Sequence, residues 1–211
     1  MRSSASRTIG DILYNFHWVL PGEAARAAQA WAGGLGGFLK RRGIRAIINL
    51  RGRNADLSWW KSETMIAEAG GIAHFDAMLD SRKLPTREML VRLIACFDAA
   101  PRPFLLKCSG GQDRTSFAAA LYLVHRDGWQ AMDTAKAQFA RFPYLHFPKT
   151  HQRWLKAFLD FAHQDAGGAP LAGWIEQTYT PERAKAWLDA HGLGGSYAAI
   201  FTAPTRSPYQ W

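Results

Sequence analysis

Two hydrophobic periods alternate along the first three quarters of the chain. Residues 44–50, IRAIINL, form a short, β-branched apolar run, the pattern of a strand buried on both faces. Residues 58–71, SWWKSETMIAEAGG, read as a helix ended by glycine, and 72–79, IAHFDAML, as a second strand. Over 84–100 the apolar residues Met89, Leu90, Leu93, Ile94 and Phe97 recur at helical spacing. Residues 102–108, RPFLLKC, are short, apolar and marked by Pro101 and Pro103, which predicts a third strand. Residues 114–128, RTSFAAALYLVHRDG, are apolar nearly all round at helix length, as a buried helix must be. Strand and helix alternating three times predict an α/β fold: a central, mostly parallel sheet of about four or five strands, flanked by helices on both faces.

Beyond that point the pattern is helical only. Helices are expected in 128–142 and 149–165, then a flexible joint at 165–173, DAGGAPLAG. A further helix is expected in 180–195, where Thr180 caps, Pro181 opens and glycines close. Residues 196–211 read as aromatic loop. The expected division is an α/β domain at 1–164 and an all-helical C-terminal extension at 165–211, packed on or near it. The Gly-x-Gly within WAGGLGGF (31–38) follows no convincing strand, so it predicts no dinucleotide site.

Composition narrows the function classes. At 211 residues, 48% hydrophobic and 20% charged, the chain has the profile of one soluble globular domain. No apolar run approaches the ~20 residues of a membrane span. The start, MRSSASRTIG, lacks the apolar region of a secretory signal, so a cytoplasmic protein is expected. Two cysteines, Cys96 and Cys108, lack metal-site spacing and are expected as thiols. The net charge is +9, and residues 1–53 supply +7 of it, with nine Lys/Arg against Asp11 and Glu23. That imbalance suits an anionic partner, and equally a solvated basic face.

The chemistry concentrates in LLKCSGGQDRTSFAAAL, 105–121. Cys108 falls where a predicted strand ends, the edge at which open α/β sheets bind ligands. The glycine-containing loop Ser109, Gly110, Gly111, Gln112, Asp113 then feeds a helix N-terminus, which gathers backbone N–H groups around an anion. Those groups and Arg114 favour the thiolate at Cys108; a drop of about three pKa units, roughly 4 kcal/mol, makes it almost fully ionised. Arg114 can grip two phosphate oxygens with its planar fork, and Thr115 can donate to the sulfur as it leaves. The pattern suits nucleophilic phosphoryl transfer without a metal or organic cofactor. The alternative is a buried structural cysteine, with Asp113 and Arg114 as a surface pair.

The segment from Cys108 to Thr115 resembles the Cys-x5-Arg-Ser/Thr signature of the protein tyrosine phosphatase and dual-specificity phosphatase superfamily. It is most similar to bacterial tyrosine-phosphatase-like and atypical dual-specificity members, whose loops often read Cys-x-x-Gly-x-Asp-Arg-Thr. FHWVLPGEAARAAQ (16–29), with Arg26 and Gln29, and GIRAIINLRG (43–52) resemble upstream segments of that group, so the likeness covers about 15–160. Lys107 stands where the family usually has His, and Ser109 and Gln112 where phosphoinositide-directed members often carry Lys. The resemblance implies a phosphocysteine enzyme whose partner is a phosphorylated protein or a small-molecule phosphate ester, with phosphotyrosine the default; nucleic acid is not an expected partner, because the basic charge comes with no aromatic-basic module.

The resemblance also implies a general acid on a loop some thirty residues before the cysteine. Asp80 is the first choice, at the start of DSRKLP; Asp76 within the strand and Asp113 in the anion loop are the others. Arg51, Arg53, Arg82 and Lys83 are expected along the substrate rim, with an Arg51–Glu63 ion pair as the plainer alternative for Arg51. Cys96 fits the core pattern of its helix, and Trp59 and Trp60 line a rim or pack. Rival functions are a phospho-ligand binding module with little turnover and a rhodanese-like sulfur transferase.

Overall fold

A computed structural model of the chain describes residues 8–30 and 32–202; readings that touch residues 1–7, Trp31 and 203–211 lie outside the described residues. In chain order the elements are α1 (Ile9–Leu13), β1 (His17–Leu20), β2 (Ala24–Ala27), α2 (Ala32–Arg41), β3 (Ala46–Asn49), α3 (Ser58–Ala69), β4 (Ala73–Asp76), β5 (Lys83–Leu84), α4 (Arg87–Ala99), β6 (Phe104–Lys107), α5 (Asp113–Asp127), α6 (Met132–Ala137), α7 (Trp154–Ala166), α8 (Leu171–Gln177), α9 (Pro181–Ala190) and β7 (Ala199–Ile200).

The main sheet runs β1-β2-β6-β3-β4, with β1 antiparallel to β2 and every other pair parallel. Side chains on a strand alternate between faces, and here both faces are apolar. Ala24, Ala46, Ile48, Phe104 and Leu106 face a core shared with α4, α5 and α7. Ala25, Ala27, Ile47 and Leu105 face a second core with Leu35, Phe38, Leu39 and Ala67 of α2 and α3. The order reverses at β3, which has β4 on one side and β6 on the other. A crevice therefore opens between the carboxyl ends of β3 and β6, the usual ligand position in such sheets.

The central elements lie where the patterns put them, trimmed by a few residues at each end. Two segments differ. The described part of the basic first quarter holds α1, the β1–β2 hairpin and α2 ahead of β3, and the Gly-x-Gly stretch is the interior of α2. The expected joint at 165–173 is only a turn, with Gly167 at φ +56° and Gly168 at φ +91°, before α8 begins at the buried Leu171. Helix α9 begins as read: Thr180 Oγ1 accepts from the Arg183 N–H at 3.2 Å and Pro181 is the first helical residue.

Residues 171–197 are not a separate layer. Leu171, Trp174, Ile175, Tyr179, Leu188 and Tyr197 belong to the same apolar cluster as Phe104 and Phe117. At the junction Phe158 of α7 sits, fully buried, among the rings of Phe117 (5.1 Å), Tyr179 (5.6 Å), Phe161 (5.7 Å) and Trp174 (6.1 Å). Phe158→Ala should lower unfolding free energy by about 3–5 kcal/mol in one cooperative denaturant transition. Two separate transitions in the wild-type protein would contradict a shared core.

Candidate active site

Strand β6 ends at Lys107, so Cys108 is the first residue past its carboxyl edge, and its side chain joins the α4–α5 face. The chain must then turn into α5 within four residues. Gly111 makes this possible at φ +65°, lying so close to β2 that a Cβ there would meet Ala28 N at 2.5 Å. Below the loop, Asn15 Nδ2 donates to Gly111 O at 3.2 Å and Gly110 O at 3.5 Å. Arg26, fully buried in β2, donates through Nη2 to Gly111 O (3.1 Å), Gln112 O (3.4 Å) and Ser116 Oγ (2.7 Å). A trans peptide points its N–H opposite its C=O. Drawing those carbonyls downward therefore turns the following N–H groups up, toward the sulfur.

The sulfur responds as that geometry requires. Burial alone pushes the Cys108 thiol up. The charge of Arg114, the Thr115 hydroxyl and the N–H groups of Gln112 and Gly111 outweigh burial and hold it below its ordinary value. Thr115 is fully buried, and its hydroxyl is among the groups that hold the Cys108 thiol down. Arg114 Nη2 donates to Ser109 Oγ at 3.1 Å, which folds the guanidinium over the loop. Cys96, by contrast, is buried in the core, and burial pushes its thiol up to about 11.

Over the loop lies a cavity of about 430 Å³ lined by Arg51, Asn54, Leu57, Met78, Asp80, Ser81, Arg82, Ser109 and Arg114, among others. The structure thus brings Asp80, Arg51 and Arg82 to the mouth of the loop. Asp80 Oδ1 accepts from the N–H groups of Arg82 (2.7 Å) and Lys83 (3.2 Å), which sets the shape of its loop. Arg53 and Lys83 lie elsewhere. Arg53 stands over the Trp60 ring (5.7 Å) in a neighbouring recess, and the Lys83 amine lies near the Phe201 ring (5.8 Å). Asp76 shares Arg53's recess and is engaged by Asn49 Nδ2 (2.6 Å) and Trp60 Nε1 (3.1 Å). Asp113 opens α5; its Oδ1 is 3.4 Å from His146 Nε2 and its Oδ2 accepts from Gln152 at 2.9 Å. Burial raises the Asp113 pKa despite the opposing charges of His146 and Arg114.

The fold recurs in solved structures. TpbA of P. aeruginosa superposes with a TM-score of 0.59 at 18% identity, over 84% of this chain and 100% of that one; TpbA has also been crystallised in complex with pTyr. PTPMT1 matches at TM-score 0.53 and 13% identity, over 72% and 98%, and a further PTPMT1 structure holds PI(5)P. The Siw14 catalytic core matches at 0.52 and 16%, over 85% and 92%. The chain has the protein tyrosine phosphatase fold. No protein-family model matches the sequence, and no curated protein matches it.

Two parts of this phosphatase-fold site were not legible as such. One is the role of Arg26, visible beforehand only as part of a resembling segment. The other is the wall behind Lys107. Lys107 Nζ, buried, lies 2.7 Å from Glu63 Oε1, donates to Gln29 Oε1 (2.7 Å), and sits 4.7 Å from the Trp59 ring centre. Glu63 also takes His74 Nε2 (2.9 Å) and the Gln29 amide (2.6 Å). The Arg51 guanidinium stacks on the other partner of this wall, 3.6 Å from the Trp59 ring centre, and reaches Gln29 Oε1 at 3.4 Å. Glu63 thus serves Lys107 and His74, and Trp59 links that buried pair to Arg51 at the cleft.

Burial lowers Lys107 to about 8, against the pull of Glu63. Between roughly pH 8 and 10.5 the unfolded chain therefore binds more protons than the folded one at this residue, and stability contributed here rises with pH. Urea denaturation should show that rise, at most about 3 kcal/mol, in the wild type. It should be absent in the Lys107→Met, Glu63→Gln double variant; equal slopes in both proteins would refute the assignment.

Proposed function

We propose that the protein is a cysteine-dependent phosphatase that hydrolyses phosphate monoesters through a phosphocysteine. The observation that carries this reading is a thiol whose pKa is lowered by loop N–H groups that point at it, with Arg114 folded over the same loop. The Cys108 thiolate attacks phosphorus and the bond to the leaving oxygen breaks as Asp80 gives that oxygen its proton. Arg114 and the loop N–H groups hold the phosphoryl oxygens, where charge stabilisation matters most. Water then attacks the phosphocysteine, its proton returns to Asp80, and the thiolate leaves with the Thr115 hydroxyl beside it.

The substrate is a phosphorylated protein or a small phosphate ester, with phosphotyrosine the default. The pTyr complex of TpbA supports this, and the three arginines of the cleft, Arg51, Arg82 and Arg114, suit an anion. The PI(5)P complex of PTPMT1 supports a phosphoinositide as the alternative, although Ser109 and Gln112 add no charge to the loop. Both cysteines are free, which suits a reducing, cytoplasmic compartment. Among the described residues no helix is long and apolar enough to cross a membrane.

Hydrolysis of p-nitrophenyl phosphate should be abolished by Cys108→Ser while binding of inorganic phosphate survives. Phosphate binding without wild-type turnover would instead support a binding module. Alkylation of Cys108 by iodoacetamide should stay fast below the ordinary thiol range near pH 8.5 and slow markedly in Arg114→Ala.

A second reading of the acid rests on Asp113, whose raised pKa keeps more of it protonated near neutrality than an exposed carboxyl. Asp80→Asn should remove the general-acid limb of the kcat pH profile and cost about 10²–10³-fold on an alkyl phosphate. If Asp113→Asn alone does so, the proton comes from the anion loop.

A further inference from the structure

The loop that carries Asp80 is held by parts of the chain far on in sequence. Its carbonyls are taken one after another: Ser81 O accepts from Trp154 Nε1 (3.1 Å), Arg82 O from the Ala198 N–H (2.7 Å) and Leu84 O from the Phe201 N–H (2.8 Å). Between the last two, β7 pairs with β5 in parallel, Lys83 opposite Ala199 and Leu84 opposite Ile200. The loop's Arg82 and Lys83 N–H groups go to Asp80 itself. Gln152 ties the loop to the phosphate cup, donating to both Ser81 Oγ (3.3 Å) and Asp113 Oδ2 (2.9 Å).

The pairing segment is itself anchored. Tyr197 Oη donates to Asp189 Oδ1 of α9 at 2.9 Å, and His151 Nδ1 lies 3.2 Å from Tyr197 O. Phe201 is buried in a small cluster with Met89 of α4 and Met78, and Met78 lines the cleft. A loop with its polar backbone satisfied from two sides opens only if several hydrogen bonds break together.

We propose that residues 197–201 are a positioning clamp, which pairs with the Asp80 loop and presets its carboxyl over the cleft without a closing motion. This gives the C-terminal segment a part in the site, resting on the phosphatase reading for what the preset carboxyl does. The clamp acts through the loop, so Ala198 and Phe201 are positioning residues.

Ala198→Pro removes the N–H that holds Arg82 O. Hydrogen exchange at the amides of residues 82–84 should then accelerate at least about tenfold, with the β3 and β6 amides unchanged. A misplaced acid harms poor leaving groups most. The variant's kcat should fall about tenfold further on phenyl phosphate than on p-nitrophenyl phosphate, with KM within about twofold. Adding Asp80→Asn to Ala198→Pro should bring no further loss on phenyl phosphate beyond Asp80→Asn alone. Phe201→Ala, which keeps the backbone donor, should move exchange and leaving-group ratio the same way by less, and it serves if the proline variant does not fold. Equal losses on both esters, or unchanged exchange in the loop, would overturn the clamp. A wild-type protein that hydrolyses neither ester would overturn the phosphatase reading alone, and the exchange arm would still decide whether residues 197–201 hold the loop.

Discussion

Everything at this site depends on which way three carbonyls point. Gly110, Gly111 and Gln112 turn their oxygens toward Asn15 and Arg26, and the planar trans peptides of the first two then turn the Gly111 and Gln112 N–H groups toward Cys108. The arrangement is demanding. Arg26 is fully buried, its Nε has no hydrogen-bond partner among the described residues, and desolvation lowers its pKa to about 10. It stays cationic at neutral pH because its forks find Gln138 O, Gln138 Oε1 and Ser116 Oγ, and the Tyr144 ring lies 4.2 Å away. Asn15 adopts φ +47°, a conformation Asn tolerates better than most residues, to reach the same carbonyls and Tyr144 O. A buried charge beneath the loop thus orients the peptide dipoles above it.

The strand that delivers the cysteine also separates two chemical environments. Phe104, Leu106 and Cys108 share the α4–α5 face, whereas Leu105 faces α2 and α3, the side on which Lys107 meets Glu63 and Trp59. The period of two therefore keeps the Lys107 ammonium on the face opposite the sulfur, although the residues are adjacent. The resembling family usually has His at this position. Here the lysine's charge is spent on Glu63 and Gln29, and both the Trp59 ring and Gln29 Oε1 contact Lys107 on one side and Arg51 on the other. A buried pair of this kind fixes geometry more than it stabilises, since desolvation offsets much of the attraction.

Much of this could be read from the residues, and the failures have physical causes. The α/β alternation from 44 to 128 was plain because β-branched runs and amphipathic spacing agree there with the final fold, and the Cys108–Thr115 loop followed from its position at a strand end. Strand β2 was hidden. Its sequence, Ala-Ala-Arg-Ala, has neither strand propensity nor alternation; it is a strand because small residues let β1, β6 and the loop at Gly111 close in on it. Helix α2 was hidden by four glycines, which lower helix propensity by about 1 kcal/mol each. Of the rim arginines, Arg51 and Arg82 reach the cleft and Arg53 does not: two positions apart on an extended chain Arg51 and Arg53 would face the same way, but Gly52 between them sits at φ +71° and turns the chain, and no sequence period covers such a loop. The pairing of β5 with β7 joins two dipeptides more than a hundred positions apart, and no local pattern carries that information.

Two carboxyls reach the loop at Cys108 from different directions. Asp113 is fixed to the first turn of α5, half-buried against His146, so its desolvation is built into the end of the Cys108 loop. Asp80 arrives on a separate loop, spends one oxygen on that loop's own N–H groups, and owes its place to residues 152, 154 and 197–201. Gln152 donates to Asp113 and to Ser81, so the two carboxyl supports share a residue and cannot shift independently. Catalytic acids work when geometry and proton affinity are set together. In this chain the Cys108 loop is set from beneath by Arg26 and Asn15, and the Asp80 loop is set from above by the C-terminal segment, which makes the last part of the described fold part of the site's construction.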